Sequence, residues 1–260
     1  MPKAFSKLFD LTDRVAIVTG GSGGLGKAVA SIYSDYGAKV VICGRRKDAL
    51  DKAAVEIKAR VGNEIDTMTC DASKEDSVKA LVQGVTSKYG RIDILANFSG
   101  LNIPKPAEDY PLKDWEEMLG ANATSVFLTC REVGKVMIKQ NRGKIVNVSS
   151  VRSAYALPRN YVAYCANKSA VNMITKQLAC EWAKFGILVN AVAPTIVETP
   201  LTAHLFTDAK YAENMKSRIP LGRWGVPDDV VGCSLFRASD ASNFITGQII
   251  FVDGGVTTWN

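Results

Sequence analysis

The sequence predicts one doubly wound α/β domain over residues 1–260, built on a seven-stranded parallel sheet with helices on both faces. Three observations carry that reading. Short β-branched runs alternate with longer stretches of helical period, the pattern of successive βαβ units. Glycine follows five helical stretches, at Gly37, Gly62, Gly90, Gly143 and Gly186, where a left-handed residue stops a helix at little cost. The alternation runs from end to end without a linker, a low-complexity tract or a shift in composition, so no second domain is expected.

In chain order the predicted strands are Val15 to Thr19, Lys39 to Cys43, Glu64 to Thr69, Ile92 to Ala96, Lys144 to Val148, Leu188 to Val192 and Gln248 to Val252. Helices are predicted over Leu25 to Tyr36, Lys47 to Arg60, Lys74 to Tyr89, Trp115 to Gln140, Tyr161 to Phe185 and Asp228 to Ala238. Residues 199–220 lack a clear strand partner and mix polar with aromatic side chains, which suits a mobile lid over a site.

Composition narrows the function classes. Hydrophobic residues make up 47% and charged residues 22%, the profile of a globular rather than a disordered or fibrous chain. No apolar run reaches the roughly 18 to 20 residues of a membrane helix, so no membrane partner is expected. The N-terminus shows no secretory signal, and the cytoplasm is the expected compartment. A net charge of +6 with pI near 8.9, and no basic block, argues against a nucleic-acid partner. The six cysteines form no C-x-x-C pair and are expected to be buried free thiols, while the single His204 has no partner at ligand spacing, so no metal site is expected.

The first strand runs into Thr19-Gly20-Gly21-Ser22-Gly23-Gly24-Leu25-Gly26 and then a helix. Glycines there let the backbone turn tightly and approach a pyrophosphate resting on the helix N-terminal amides, the dinucleotide crevice of a Rossmann fold. Tyr164 and Lys168, four residues apart, share one face near a helix start. Upstream, a strand ends in the hydroxyls Ser149 and Ser150, where doubly wound folds place their ligand crevice. An Arg at the end of the second strand pairs with a 2′-phosphate, whereas an acid accepts from adenosine ribose hydroxyls. Here Gly44 stands where the acid would be, followed by Arg45 and Arg46, so NADP is expected over NAD.

Together these residues resemble the short-chain dehydrogenase/reductases of compact single-domain type, over almost the full length. The matching elements are Thr19 to Gly26, Asp71, Asn97-Phe98-Ser99-Gly100, Asn122, Ser150, Tyr164 with Lys168, Asn190 to Pro194, Thr199, and Val252-Asp253-Gly254-Gly255. Residues around Ser150, Tyr164 and Arg223 to Pro227 are similar to the gluconate 5-dehydrogenase-like branch acting on sugar acids and polyols. The resemblance implies an oxidoreductase that interconverts a secondary alcohol and a ketone. Tyr164 would be the general acid/base, and Lys168 would lower its pKa and hold the nicotinamide ribose. Ser150 would bind the substrate oxygen, and Asn122 would position a relay water. Cofactor contacts would come from Gly20, Ser22, Gly24, Leu25, Gly26, Arg45, Arg46, Asp71, Ala72, Asn97, Gly100, Pro194, Val197 and Thr199. Asp71 would accept from the adenine amino group, with Ser73 capping the next helix. The substrate pocket would draw on Asn102, Arg152, Tyr155, Arg159, Asn160 and His204, with inward arginine favouring an anionic or polyhydroxylated substrate.

Three features depart from the family pattern: Ser150 lies 14 residues before Tyr164 where the commonest spacing falls on Val151, Phe98-Ser99 replaces the usual Asn-Ala, and Thr195 replaces the usual Gly. Gly23 also occupies a position that is basic in many NADP-using relatives, which keeps NAD as the alternative. Members commonly form homotetramers through the two long helices and the last strand, with Trp259 placed to pack across a subunit contact. A 3-oxoacyl thioester reductase and a non-catalytic NADP-binding scaffold are the alternative functions.

Overall fold

The computed structural model describes residues 5–200 and 202–258. Seven strands, β1 (Val15–Thr19), β2 (Lys39–Gly44), β3 (Asp66–Thr69), β4 (Ile94–Asn97), β5 (Gly143–Val148), β6 (Ile187–Pro194) and β7 (Ile249–Val252), form one sheet in the order β3-β2-β1-β4-β5-β6-β7. Every ladder is parallel. Inner strands read as continuous apolar runs because both faces are covered. Side chains still alternate: Ala16 and Val18 pack under α1 (Gly24–Asp35), α2 (Lys47–Val61) and α8 (Pro227–Ala238). Val15 and Ile17 face the opposite layer, made by α3 (Glu75–Tyr89), α5 (Ser125–Gln140) and α6 (Val162–Trp182).

The order in which strands are added reverses between β1, which continues to β2 on one side, and β4 on the other. The helices leaving these strands diverge there, opening a crevice at the strands' C-terminal ends.

Several predicted boundaries move, each for a local reason. The fourth strand begins at Ile94 rather than Ile92 because the Gln140 side chain takes both main-chain groups of Ile92, accepting at 3.0 Å and donating at 2.8 Å. The third begins at Asp66, the first residue with a ladder partner, opposite Val41. Gly143 does not end a helix. Asn141, at φ 52°, takes the left-handed cap, and Gly143 opens β5 where a Cβ would lie 2.2 Å from the Met137 sulfur. The long helix predicted from Trp115 is two helices, α4 (Leu112–Leu119) and α5, joined by a π turn over Gly120–Thr124. Polar side chains inserted into the ladder open that wider turn. Asn122 Nδ2 donates to the Met118 carbonyl at 2.9 Å, and Ser125 Oγ to that of Ala121 at 2.8 Å. Residues 199–220 hold a 3-10 turn, Ala203–Phe206, and α7 (Ala209–Lys216).

A buried polar chain crosses the layer below the crevice. Asn97 Nδ2 donates to Asn147 Oδ1 at 2.9 Å, Asn97 Oδ1 accepts from Thr129 Oγ1 at 2.8 Å, and Asn147 Nδ2 donates to Thr175 Oγ1 at 2.9 Å. All four residues are buried, so each bond replaces water that cannot reach it. Asn97→Ala would take the amide donor from the buried Asn147 oxygen and leave it only the Cys130 thiol at 3.8 Å, at a cost of about 1–3 kcal/mol. The urea midpoint should fall with an unchanged slope, and an unchanged midpoint would show that the chain contributes nothing to stability.

Candidate active site

The glycine turn after β1 is shaped by close approach. Gly20 sits at φ +66°, and a Cβ there would lie 2.8 Å from the Phe98 carbonyl oxygen; at Gly26 it would lie 2.2 Å from the Gly20 carbonyl. Side chains are excluded at both positions. α1 starts at Gly24 with Gly23 as its N-cap, and no side chain caps its first amides. Those amides and the helix dipole suit an anion such as pyrophosphate. Leu25 turns back onto the core, and Ser22 borders Gly44. Thr19, which the motif reading passed over, locks this turn to the loop after β4. Its Oγ1 accepts from the main-chain nitrogens of Phe98 at 3.1 Å and Ser99 at 3.3 Å and donates to Ser99 Oγ at 3.2 Å.

At the end of β2, Arg45 and Arg46 are exposed, and among the described residues their side chains make no hydrogen bond or ion pair. Lys47 is already held by Asp51 and by Thr67 at 3.3 Å. Asp71, with Ala72 beside it, faces this edge. Burial opposes ionisation of Asp71, but bonds from Ser73 and the charge of Arg45 outweigh it and hold the carboxyl below its ordinary value. Ser73 does not cap α3, whose N-cap is Lys74. It donates instead through its main-chain nitrogen at 3.0 Å and its hydroxyl at 2.7 Å to one oxygen of Asp71.

Ser150, Tyr164 and Lys168 meet where β5 ends against the first turns of α6. Ser149 Oγ is taken by Asn172 Oδ1 at 2.6 Å, which leaves Ser150 as the hydroxyl that draws the Tyr164 phenol downward in pKa. Lys168 is 4% exposed; its Nζ donates to the Val148 carbonyl at 3.0 Å and stands 5.7 Å from the centre of the Tyr164 ring. Burial pushes the Tyr164 phenol up to about 12, against the downward pull of Ser150 and the Arg152 charge. The same burial lowers Lys168 to about 8. The Lys168 ammonium is desolvated and turned to the Val148 carbonyl rather than to the phenol. Asn122 is fully buried and grips Leu101, accepting from its nitrogen at 3.3 Å and donating to its oxygen at 3.0 Å. A Cβ on Gly100 would lie 3.0 Å from Asn122 Oδ1 and 3.7 Å from Lys168 Nζ. Glycine thus keeps open the space over the ammonium.

Other predicted residues divide. Asn102 carries a buried Oδ1 with no hydrogen-bond partner, an acceptor for a ligand hydroxyl. Arg152 is half-buried, and its charge acts on the Tyr164 phenol. Asn97 does not face the crevice, since its side chain is committed to the buried polar chain. Tyr155 turns to the C-terminal segment: its hydroxyl donates to the Thr257 carbonyl at 3.2 Å and its ring meets Phe251 edge-on. Arg159 and Asn160 are exposed in the bend before α6. Pro194 ends β6, Val197 bridges to Gly225, and Thr199 is tied to Thr202 Oγ1 at 2.9 Å. His204 falls in the 3-10 turn, with its side chain outside the described residues, as is Trp259. Cys180 is exposed rather than buried. Among the described residues no group of three His, Cys, Asp or Glu could hold a metal ion, and no helix is long and apolar enough to cross a membrane.

A family model described as enoyl-(acyl carrier protein) reductase matches residues 20–257. The chain is 40% identical over 255 residues to an NAD-dependent glycerol dehydrogenase of Listeria innocua, covering 98% of each. It is 38% identical to a gluconate 5-dehydrogenase of Gluconobacter oxydans, covering 96% of this chain and 97% of that one. Among solved structures, a gluconate 5-dehydrogenase from Burkholderia cenocepacia in complex with NADP and tartrate superposes with a TM-score of 0.93 at 34% identity, covering 98% and 99% of the two chains. The chain belongs to the short-chain dehydrogenase/reductase family.

As a member of that family it is an NAD(P)-dependent oxidoreductase, and two of its departures have structural reasons. Ser99 supplies the hydroxyl that bonds to Thr19, and Phe98 buries its ring in the core. Val151, at the commonest family position for the serine, is buried as the first residue of a 3-10 turn whose cap is Ser150.

The buried ammonium sets a pH dependence. Lys168 has a folded pKa near 8 against an ordinary 10.5, so as pH rises through that window the folded state sheds the proton first. Stability should climb there by at most about 1.4 kcal/mol per pH unit relative to Lys168→Met, and parallel curves for the two proteins in chemical denaturation would contradict this. The comparison with the variant is needed because Lys144 is also lowered to about 8 by burial.

Proposed function

We propose that this protein is an NADP-preferring reductase and dehydrogenase for a small polar substrate, a sugar acid or polyol, converting a secondary alcohol to a ketone and back. The observation that carries the reading is the Ser150–Tyr164–Lys168 cluster with the Arg152 charge acting on the phenol, together with the unpartnered Asn102 oxygen two residues after Gly100, which borders Lys168. Bound NADPH supplies the hydride. Tyr164, held protonated by burial, gives its proton to the carbonyl oxygen as that oxygen gains charge. Ser150 stabilises the same oxygen by hydrogen bond. Lys168 holds the nicotinamide ribose hydroxyls, and Asn122 is the positioning residue behind it, fixing Leu101 and the π turn for a relay water.

For the cofactor, the main-chain amides from Gly20 to Gly26 with Ser22 receive the pyrophosphate, and Asp71 with Ala72 receives the adenine. The free guanidinium groups of Arg45 and Arg46 receive the 2′-phosphate. Gly100, Pro194, Val197 and Thr199 frame the nicotinamide. Residues 199–220 act as the lid. Its near end is pinned by Thr202 Oγ1, which donates to Val197 at 2.6 Å, and its far end by Leu221, which donates to the Gly254 carbonyl at 3.1 Å. Arg152 and Asn102 favour a substrate with acid or hydroxyl groups.

The unpaired cysteines suit a reducing cytoplasm. A homotetramer is supported by apolar side chains exposed on the long helices, Phe127 at 43% and Met173 at 62%, and by the half-exposed edge strand β7. Light scattering should give four times the 28.1 kDa chain mass, and a monomer would overturn this assembly.

Nicotinamide absorbance with sugar acids, polyols and simple alcohols tests the chemistry. Tyr164→Phe should lose at least about 10²-fold in kcat while NADPH binding is retained. Turnover that survives the substitution would remove Tyr164 from its role. Arg45→Ala should weaken NADP by about 1.5–3 kcal/mol, the range for a hydrogen bond to a charged group, and leave NAD nearly untouched. A clear preference of the wild type for NAD would refute the assignment of Arg45.

A further inference from the structure

Two thiols outside the catalytic cluster share the floor of the adenosine end. Opposite residues of a parallel ladder point to one face, so Cys43, opposite Met68, lies on the same face as Cys70 two residues further on. The Cys70 main-chain nitrogen donates to the Gly44 carbonyl at 2.8 Å, which sets Cys70 one residue past the Gly44–Thr69 pair and two past the partner of Cys43. Both belong to the apolar layer under α3, at 1% and 4% exposure. The remaining cysteines have no such partner: Cys130 meets Asn97 and Asn147, and Cys165, Cys180 and Cys233 lie on α6 and α8.

We propose that Cys43 and Cys70 are a redox modification site, closing to an intramolecular disulfide under hydrogen peroxide and reopening with a thiol reductant. Cys70 is the attacking sulfur. The neighbouring Cys43 thiol and Ser77 hydroxyl lower its pKa, while the same pairing and full burial hold Cys43 well above its ordinary value. The Cys70 thiolate breaks the peroxide O–O bond, giving a Cys70 sulfenic acid and hydroxide. The Cys43 sulfur then attacks the sulfenic sulfur, forming the S–S bond. The sulfenic hydroxyl leaves as water with the Cys43 proton, and the hydroxide takes the proton given up by Cys70, so two thiols and one peroxide yield one disulfide and two waters. The two electrons pass from sulfur to peroxide.

The bond would have a reach beyond its own atoms. Cys43 immediately precedes Gly44 and Arg45, and Cys70 immediately precedes Asp71 and Ala72. Drawing the sulfurs to bonding distance moves both strand ends together, and the diagonal placement requires that movement. The disulfide therefore lowers nucleotide affinity, a consequence that rests on the adenosine pocket proposed above. Bound nucleotide in turn shields the pair.

The test treats reduced, full-length protein with hydrogen peroxide, with and without NADPH. Intact mass, non-reducing peptide maps and NADPH fluorescence titrations are then recorded. The expected result is a loss of about 2 Da and a single cross-link joining the Cys43 and Cys70 peptides, formed more slowly with NADPH present. NADPH affinity should fall at least about tenfold and return with dithiothreitol. Cys43→Ser should stop at a Cys70 sulfenic acid that dimedone traps, and Cys70→Ser should form neither product. Absence of the cross-link in folded wild type, or a cross-link to another cysteine, would overturn the site. Unchanged NADPH affinity in fully cross-linked protein would overturn the coupling. Reduced wild type that binds no NADPH would count against the nucleotide pocket alone, since the cross-link is read by mass.

Discussion

The Thr19 hydroxyl occupies the junction on which the site depends. At the end of β1 it accepts from two successive main-chain amides of the loop after β4 and donates to Ser99, fixing the glycine turn against that loop where the strand order reverses. Neither loop could keep its shape alone. Gly20 lies so close to Phe98 that a Cβ would collide with it, and Gly100 must stay bare to leave room above Lys168. Below this junction, the buried amides of Asn97 and Asn147 join β4 to β5 and to the helices behind them. One crevice thus receives its nucleotide turn from β1, its opening over the ammonium from β4 and its hydroxyl from β5.

Burial governs the chemistry of the reacting groups more strongly than pairing does. Tyr164 and Lys168 stand on adjacent turns of α6, yet desolvation moves each toward its neutral form, the phenol upward and the ammonium downward. A protonated phenol against Ser150 is arranged to give a proton, which favours reduction of a carbonyl. Arg152 is a charge that acts on the phenol, so an anion bound beside it, as the proposed substrate would be, would alter the field at Tyr164.

Much of this was legible in sequence because it depends on short-range pattern. Seven β-branched runs between amphipathic stretches required a doubly wound parallel sheet, and the glycine turn between strand and helix marked the nucleotide end. The failures occurred where a side chain competes with the backbone. Gln140 removes Ile92 from its strand, and Asn122 with Ser125 opens a helix into a π turn. Asn141 takes the cap expected of Gly143, which is glycine because the Met137 sulfur leaves no space for a Cβ. Such contacts join residues distant in sequence or depend on a particular rotamer, and periodicity does not encode them.

Site residues divide on the same line. Spacing on one helix face identified Tyr164 and Lys168, and the strand end located the two serines. The resemblance already picked Ser150 of the two, and the tertiary structure adds the physical reason, because Asn172 on α6 captures Ser149. The tertiary structure also withdrew Asn97 into the core, turned Tyr155 toward the C-terminus and gave Thr19 a role that no motif announces. The sequence by itself determined the architecture and the chemical types brought to the crevice, since these follow from local periodicity and backbone sterics. Which polar side chains face the ligand and which are committed to neighbours was decided by packing, because a buried hydrogen bond exists only once distant segments have been brought together.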